Sequence, residues 1–212
     1  LYLLFAGVSA YAGFEGNKSK WKGYSKTGFK VGEHAAFVVE PKTHALGKPW
    51  VWRARFPTYH SEIDEMLLAD GYHIAHINTG SKLGSPKALA IWKEFYDLLT
   101  TQYGLNQKMA LEGVSRGGLY VYRWAKNYPQ TVACIYNDTP VCDFKSWPGG
   151  KGRGKGAKGE WNRVFKEYGF TNETEALAYA DNPIDNLQPI VDARIPIMHI
   201  VTEDDAIVPP KE

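Results

Sequence analysis

From residue 72 onward, short apolar runs alternate with stretches of helical length, and this alternation limits the fold more than any other feature of the chain. Residues 72–78, 108–112 and 132–136 read as strands. Between them residues 86–103 and 117–127 read as helices, the first with Pro86 in its opening turn. A helical stretch over residues 63–70 precedes the series. Strands alternating with helices of about 8 to 18 residues predict a mostly parallel sheet with helices on both faces, an α/β fold. Earlier, residues 34–39 and 49–56 read as antiparallel strands split by the turn-rich residues 41–48, while residues 16–30 are a polar lead-in. Later, residues 160–168 and 173–180 read as helices, the second capped by Thr171 or Asn172, and residues 195–201 read as one more buried strand. Between residues 147 and 158 the chain is so rich in glycine and lysine that a mobile surface loop is expected.

The 212 residues, 44% of them hydrophobic, suffice for one domain with a sizeable core. A formal charge of +2, from 25 basic and 23 acidic residues, without a basic run interleaved with aromatics, argues against a nucleic-acid partner. Cys134 and Cys142 are the two cysteines. Their spacing supports neither a disulfide scaffold nor a zinc site, and Cys134 lies in an apolar run where a free buried thiol is the commoner state, although a bond between the two stays open. The uncharged run over residues 1–8, followed by Ala10-Tyr11-Ala12, reads as the end of a signal peptide cut after Ala12. That predicts a secreted or periplasmic protein whose domain begins at residue 13. The run is too short for a membrane span of about 20 residues, so the mature form is expected to stay out of the membrane.

Chemistry concentrates at Gly113-Val114-Ser115-Arg116-Gly117, between an expected strand and an expected helix. A serine hydroxyl becomes a useful nucleophile when it is held exposed beside a base and an oxyanion site, and a sharp strand-to-helix turn does this. Side chains flanking such a turn should collide, so both glycines are expected to be required. Downstream, the strand at residues 195–201 runs into Asp204-Asp205 and then Ala206-Ile207-Val208-Pro209-Pro210. A carboxylate at the carboxyl end of a sheet strand is where a catalytic triad holds its acid, although paired aspartates before prolines are also ordinary turn chemistry.

On these residues the chain resembles the α/β-hydrolase superfamily, from about Phe37 to Pro210. The resemblance implies Ser115 as nucleophile and Asp205 as triad acid, with no cofactor or metal. It also implies an oxyanion hole from the amide of Arg116 and one from the loop after the third strand, taken as residues 50–56, with Arg53 and Ala54 as candidates. The elbow is also similar to that of glucuronoyl methylesterases, which implies that the Arg116 side chain assists the oxyanion; a solvated or ion-paired arginine is the alternative. In that case the acid is Asp138, after the preceding strand.

All six histidines, His34, His44, His60, His73, His76 and His199, precede Asp205, whereas the superfamily places its base after the acid. The expectation is that the domain, residues 13–212, breaks off before that histidine, which would lie beyond Glu212. His73, His76 and His199 are expected to sit within strands, and His60 at most to border the pocket. The function implied is a serine hydrolase of carboxylic esters, on a small-molecule or decorated carbohydrate substrate. A peptidase or amidase of the prolyl-oligopeptidase type and a non-catalytic carbohydrate-binding or interaction module are the alternatives.

Overall fold

The computed structural model describes residues 13–210. The leader expected over residues 1–12 lies outside them, and so does Glu212, the residue beyond which the catalytic histidine is expected. Eight strands form one sheet: β1 (Asn17–Trp21), β2 (Tyr24–Val31), β3 (His34–Glu40), β4 (Trp50–Arg53), β5 (His73–Ile77), β6 (Met109–Val114), β7 (Val132–Asp138) and β8 (Ile197–Ile200). Their order across the sheet is β1-β2-β3-β5-β4-β6-β7-β8. The pairs from β1 to β5 along this order are antiparallel, and β5, β4, β6, β7 and β8 run parallel to one another. The mostly parallel sheet expected from the alternation is therefore present.

The polar lead-in is a hairpin that its composition hides. Lys22 and Gly23 both take positive φ, 47° and 85°, the two-residue turn whose twist suits paired strands. Nearly every residue of β1 is exposed, so no apolar alternation marks it. With this hairpin in front, the strand expected to be third is fourth, and it ends at Arg53 because Phe56 turns to a left-handed φ of 50°.

The helices are α1 (Glu62–Ala69), α2 (Pro86–Asp97), α3 (Gly117–Asn127), α4 (Lys158–Tyr168), α5 (Glu173–Ala178) and α6 (Gln188–Asp192). Two of them start on side-chain caps: Ser85 accepts from the amide of Ala88 before Pro86, and Asn172 accepts from that of Glu175. The long helix expected after Pro86 divides, since Leu98–Gln102 form a π-helical turn. Five-residue α6 is too short to show periodicity, and the sequence did not announce it.

On one face of the sheet a tryptophan cluster fills the core. The ring of Trp52 on β4 lies 4.0 Å from that of Trp92 on α2 and 5.1 Å from that of Trp124 on α3. On the other face Val39, Val51 and Ile74 of the sheet meet Leu68 of α1. Helices thus cover both faces, and the strands between β3 and β7 are the buried ones.

One expectation fails here for a physical reason. Of residues 195–201 Ile195 is buried, but every residue of β8 is exposed, because among the described residues β8 lies at the end of the sheet and pairs with β7 alone. Apolar content identifies a strand but does not count its neighbours. The glycine and lysine stretch is the surface loop expected, with backbone hydrogen bonds at its ends. Gly150 donates to Ser146 O, Lys151 to Lys145 O and Ala157 to Pro148 O. Gly154 is buried against the 203–210 segment, where a Cβ would come within 2.9 Å of Ile207 O. Close packing of backbone on backbone, rather than flexibility, accounts for this glycine.

Candidate active site

Ser115 sits at the carboxyl end of β6, with Arg116 alone between it and α3, and has φ 51°. A left-handed conformation is rare and strained for a residue with a Cβ, and it persists where the surroundings over-determine it. Here they do. The Ser115 amide donates to Asp138 O at 2.9 Å, and Ser115 O accepts from Gly118 N at 3.1 Å and from Val141 N at 2.9 Å. The turn is therefore stapled to the chain that leaves β7, and it is fixed without any contribution from the hydroxyl. A cavity of about 220 Å³ opens beside it, lined by Phe56, Tyr59, Val114, Ser115 and Thr139.

The glycine requirement differs from the one expected. A Cβ on Gly113 would collide with the buried side chain of Asn137 and come within 3.1 Å of Gly117 C. A Cβ on Gly117 would meet only Ala54 and Arg55 at 3.6 Å, an ordinary contact. Gly118 is the second obligatory position, since a Cβ there would lie 2.7 Å from Val141 O. The steric demand comes from the 140–141 segment, which is remote in sequence.

A larger cavity of about 640 Å³ adjoins the first and shares Tyr59 and Thr139 with it. His60, Asp138 and Asp205 all line it, so both candidate acids come to the same end of the sheet as Ser115. Asp205 Oδ1 accepts from the amides of Ile207 and Val208, at 2.8 and 2.9 Å, and so caps its own turn. Thr139, at φ 44°, donates to Ile200 O at 2.8 Å and thereby links the elbow's staple to β8.

None of the six histidines hydrogen-bonds the Ser115 hydroxyl among the described residues. His73 and His76 lie within β5, where burial holds both down to about 4, and Nδ1 of each faces a backbone carbonyl, Pro49 O and Arg53 O respectively. His199 on β8 shares hydrogen bonds with Tyr122 and Asn137, and burial lowers its pKa. His34 lies beside Asn78 O and His44 is stacked on His73.

One of the two expected oxyanion amides is engaged within the sheet. The Ala54 amide donates to Glu112 O at 2.9 Å. The Arg53 side chain is fully buried, with Nη1 2.6 Å from Asp64 Oδ2 and Nη2 3.2 Å from Glu112 Oε1. Its Nη2 also donates to Phe56 O and Tyr59 O, so Arg53 anchors the loop whose residues form the wall of the Ser115 cavity. Sequence reasoning missed Phe56, Tyr59 and Thr139 in that wall because none of them belongs to a motif. Burial pushes the Glu112 carboxyl up to about 7 although the Arg53 charge pulls it down. Arg116 is neither freely solvated nor pointed at Ser115 by any hydrogen bond: Nη1 lies 3.2 Å from Glu160 Oε1, and the guanidinium packs on Phe56 and Trp147.

The comparisons with known structures agree with this architecture. The chain superposes on puromycin hydrolase with a TM-score of 0.64 and 18% identity, over 84% of this chain and 30% of that one. The described chain has the α/β-hydrolase fold. An esterase of Pyrococcus furiosus gives a TM-score of 0.56 at 16% identity, covering 93% of this chain and 80% of that one. The acylaminoacyl peptidase of Pyrococcus horikoshii gives 0.58 at 14% identity, covering 86% and 32%. This α/β-hydrolase domain therefore spans about a third of the length of two of these proteins and most of the third. No family model and no curated protein sequence matches the chain. Both cysteines are free thiols. Among the described residues no helix is long and apolar enough to cross a membrane.

Proposed function

We propose that the protein is a serine hydrolase that cleaves carboxylic esters through an acyl-enzyme on Ser115. The observation that carries this reading is the strained φ of 51° at Ser115, held by three backbone hydrogen bonds at the mouth of a cavity. Strain maintained at a half-buried serine beside a cavity serves positioning rather than stability. In the proposed reaction Ser115 Oγ attacks the ester carbonyl and gives its proton to a histidine, and the Arg116 amide at the head of α3 donates to the oxyanion. The alcohol then leaves with that proton, and water releases the acid. Asp205 orients the base, with Asp138 as its rival. Export to a periplasmic or extracellular space and a decorated carbohydrate as the substrate complete the proposal.

Cleavage of amide bonds is the second reading, favoured by the likeness to proteins described as puromycin hydrolase and acylaminoacyl peptidase. Rates on 4-nitrophenyl acetate and on acyl-peptidyl 4-nitroanilides distinguish the two.

A fluorophosphonate probe is expected to label Ser115 and to fail on Ser115→Ala, with turnover reduced by about three orders of magnitude or more. Persistent labelling of the variant would move the nucleophile elsewhere. Asp205→Asn is expected to lower turnover far more than Asp138→Asn, and the reverse ranking reassigns the acid. Loss of turnover in His60→Gln would give the base to His60 instead.

A further inference from the structure

Two guanidinium groups meet at the Phe56 ring, which lines the Ser115 cavity. Arg55 Cζ lies 5.4 Å and Arg116 Cζ 5.6 Å from the ring centroid, and Arg116 also packs on Trp147 at 5.4 Å. The Arg55 Cβ is 3.6 Å from where a Cβ on Gly117 would stand, so the backbone of Arg55 abuts the first turn of α3, two residues after the nucleophile.

One nitrogen of each arginine is engaged. Arg55 Nη1 donates to Gly80 O at 2.9 Å, and Arg116 Nη1 pairs with Glu160 Oε1 at 3.2 Å. The same Oε1 also faces Arg163 Nη1 at 3.2 Å, so one carboxylate oxygen serves two cations. Among the described residues Nε and Nη2 of both Arg55 and Arg116 have no hydrogen-bond partner, and Arg55 Nε is buried. Buried donors are nearly always partnered, yet this one is not, and neither is the buried Glu160 Oε2 near it. Moreover, Nε and Nη2 form the side edge of a guanidinium, the fork that matches the two oxygens of a carboxylate.

We infer that Arg55 and Arg116 form an anion-binding subsite beside Ser115, which takes a carboxylate or a like-shaped oxyanion carried by the substrate away from the bond to be cleaved. This rests on the hydrolase reading of Ser115 for the word substrate, while the subsite itself is a matter of binding. Burial lowers the Arg55 pKa, with the Arg116 charge acting in the same direction against Tyr120 and Glu160. An incoming anion offsets both costs. Glu160 alone does not neutralise the group, since it faces Arg116 and Arg163 and lies close to Arg55 as well.

The test uses Ser115→Ala protein, which separates binding from turnover. Calorimetric titration compares mono-4-nitrophenyl glutarate, the 4-nitrophenyl ester of 4-sulfobutyrate and neutral 4-nitrophenyl pentanoate in low salt. The glutarate half-ester is expected to bind on the order of tenfold tighter than the neutral ester, with the margin shrinking as salt rises. A gain for the glutarate that the sulfonate does not match is expected of a planar fork, and an equal gain for both overturns it. Adding Arg55→Lys or Arg116→Lys, which keeps the charge and removes the fork, is expected to reduce the glutarate preference severalfold. Equal affinities for charged and neutral esters, no detectable binding of any of them, or a preference untouched by both lysine variants overturns the inference. Failure of the hydrolase reading appears separately, as absent probe labelling of Ser115 in the wild-type protein.

Discussion

Strands β6 and β8 stand two places apart in the same sheet, both parallel and both leading into residues of the candidate site, yet they are built differently. β6 is buried along almost its whole length, with β4 on one side and β7 on the other. Among the described residues β8 is exposed throughout and pairs only with β7. Ser115 thus stands on the most constrained part of the molecule, where neighbours on every side fix its strained backbone. Asp205 follows a strand held by a single ladder, and its carboxylate is partly occupied in capping its own turn. A nucleophile must be aimed at an atom, and the strands on both sides of β6 hold Ser115 to that aim.

The comparison can be broken most directly by deleting side chains at its two ends. Trp52→Ala, at a residue fully buried beside β6, is expected to cost about 3–5 kcal/mol in urea unfolding. Met198→Ala on β8, 60% exposed, is expected to change stability by no more than about 0.5 kcal/mol. Similar losses at the two sites would mean that β8 is as much a part of the core as β6.

A finer cut lies within the elbow itself. Gly118→Ala forces a Cβ against Val141 O and is expected to destabilise by about 1–3 kcal/mol and to reduce probe labelling of Ser115. Gly117→Ala, one residue earlier, has ordinary contacts at 3.6 Å and exchanges a poor helix former for a good one. It is expected to be neutral or to stabilise by up to about 1 kcal/mol. If the two variants behave alike, the 140–141 segment does not press on α3 as described.

The smallest effect concerns charge beneath β6. The Glu112 carboxyl is raised to about 7 by burial, so the folded protein holds a proton that the unfolded chain releases near its ordinary 4.5. The sign follows from linkage: the contribution of this group is fully present below pH 4.5 and is lost as pH rises through 7. Glu112→Gln is expected to remove this part of the decline in melting temperature between pH 4.5 and 7. His73 and His76, held down to about 4, act with the opposite sign and weaken the fold as pH falls from 6.5 toward 4. A pH profile unchanged by Glu112→Gln would show that Arg53 keeps that carboxylate ionised.

What the sequence determined by itself is local. The alternation of runs, Pro86 behind its Ser85 cap, Asn172 at the head of α5 and the serine between strand and helix all follow from backbone preferences and periodicities within a few residues. Those sufficed for the α/β architecture and for the position of Ser115. The tertiary structure decided the rest, because each remaining feature depends on partners distant in sequence. The Arg53 side chain is buried and paired only because Asp64 and Glu112, 11 and 59 positions away (64 − 53 and 112 − 53), close around it. Gly118 rather than Gly117 is obligatory because Val141 returns across the first turn of α3. Phe56 and Tyr59 reach the cavity wall because a buried guanidinium pulls their carbonyls inward. Burial, charge pairing and steric exclusion are sums over neighbours in space, and a chain read residue by residue does not contain that list until it has folded.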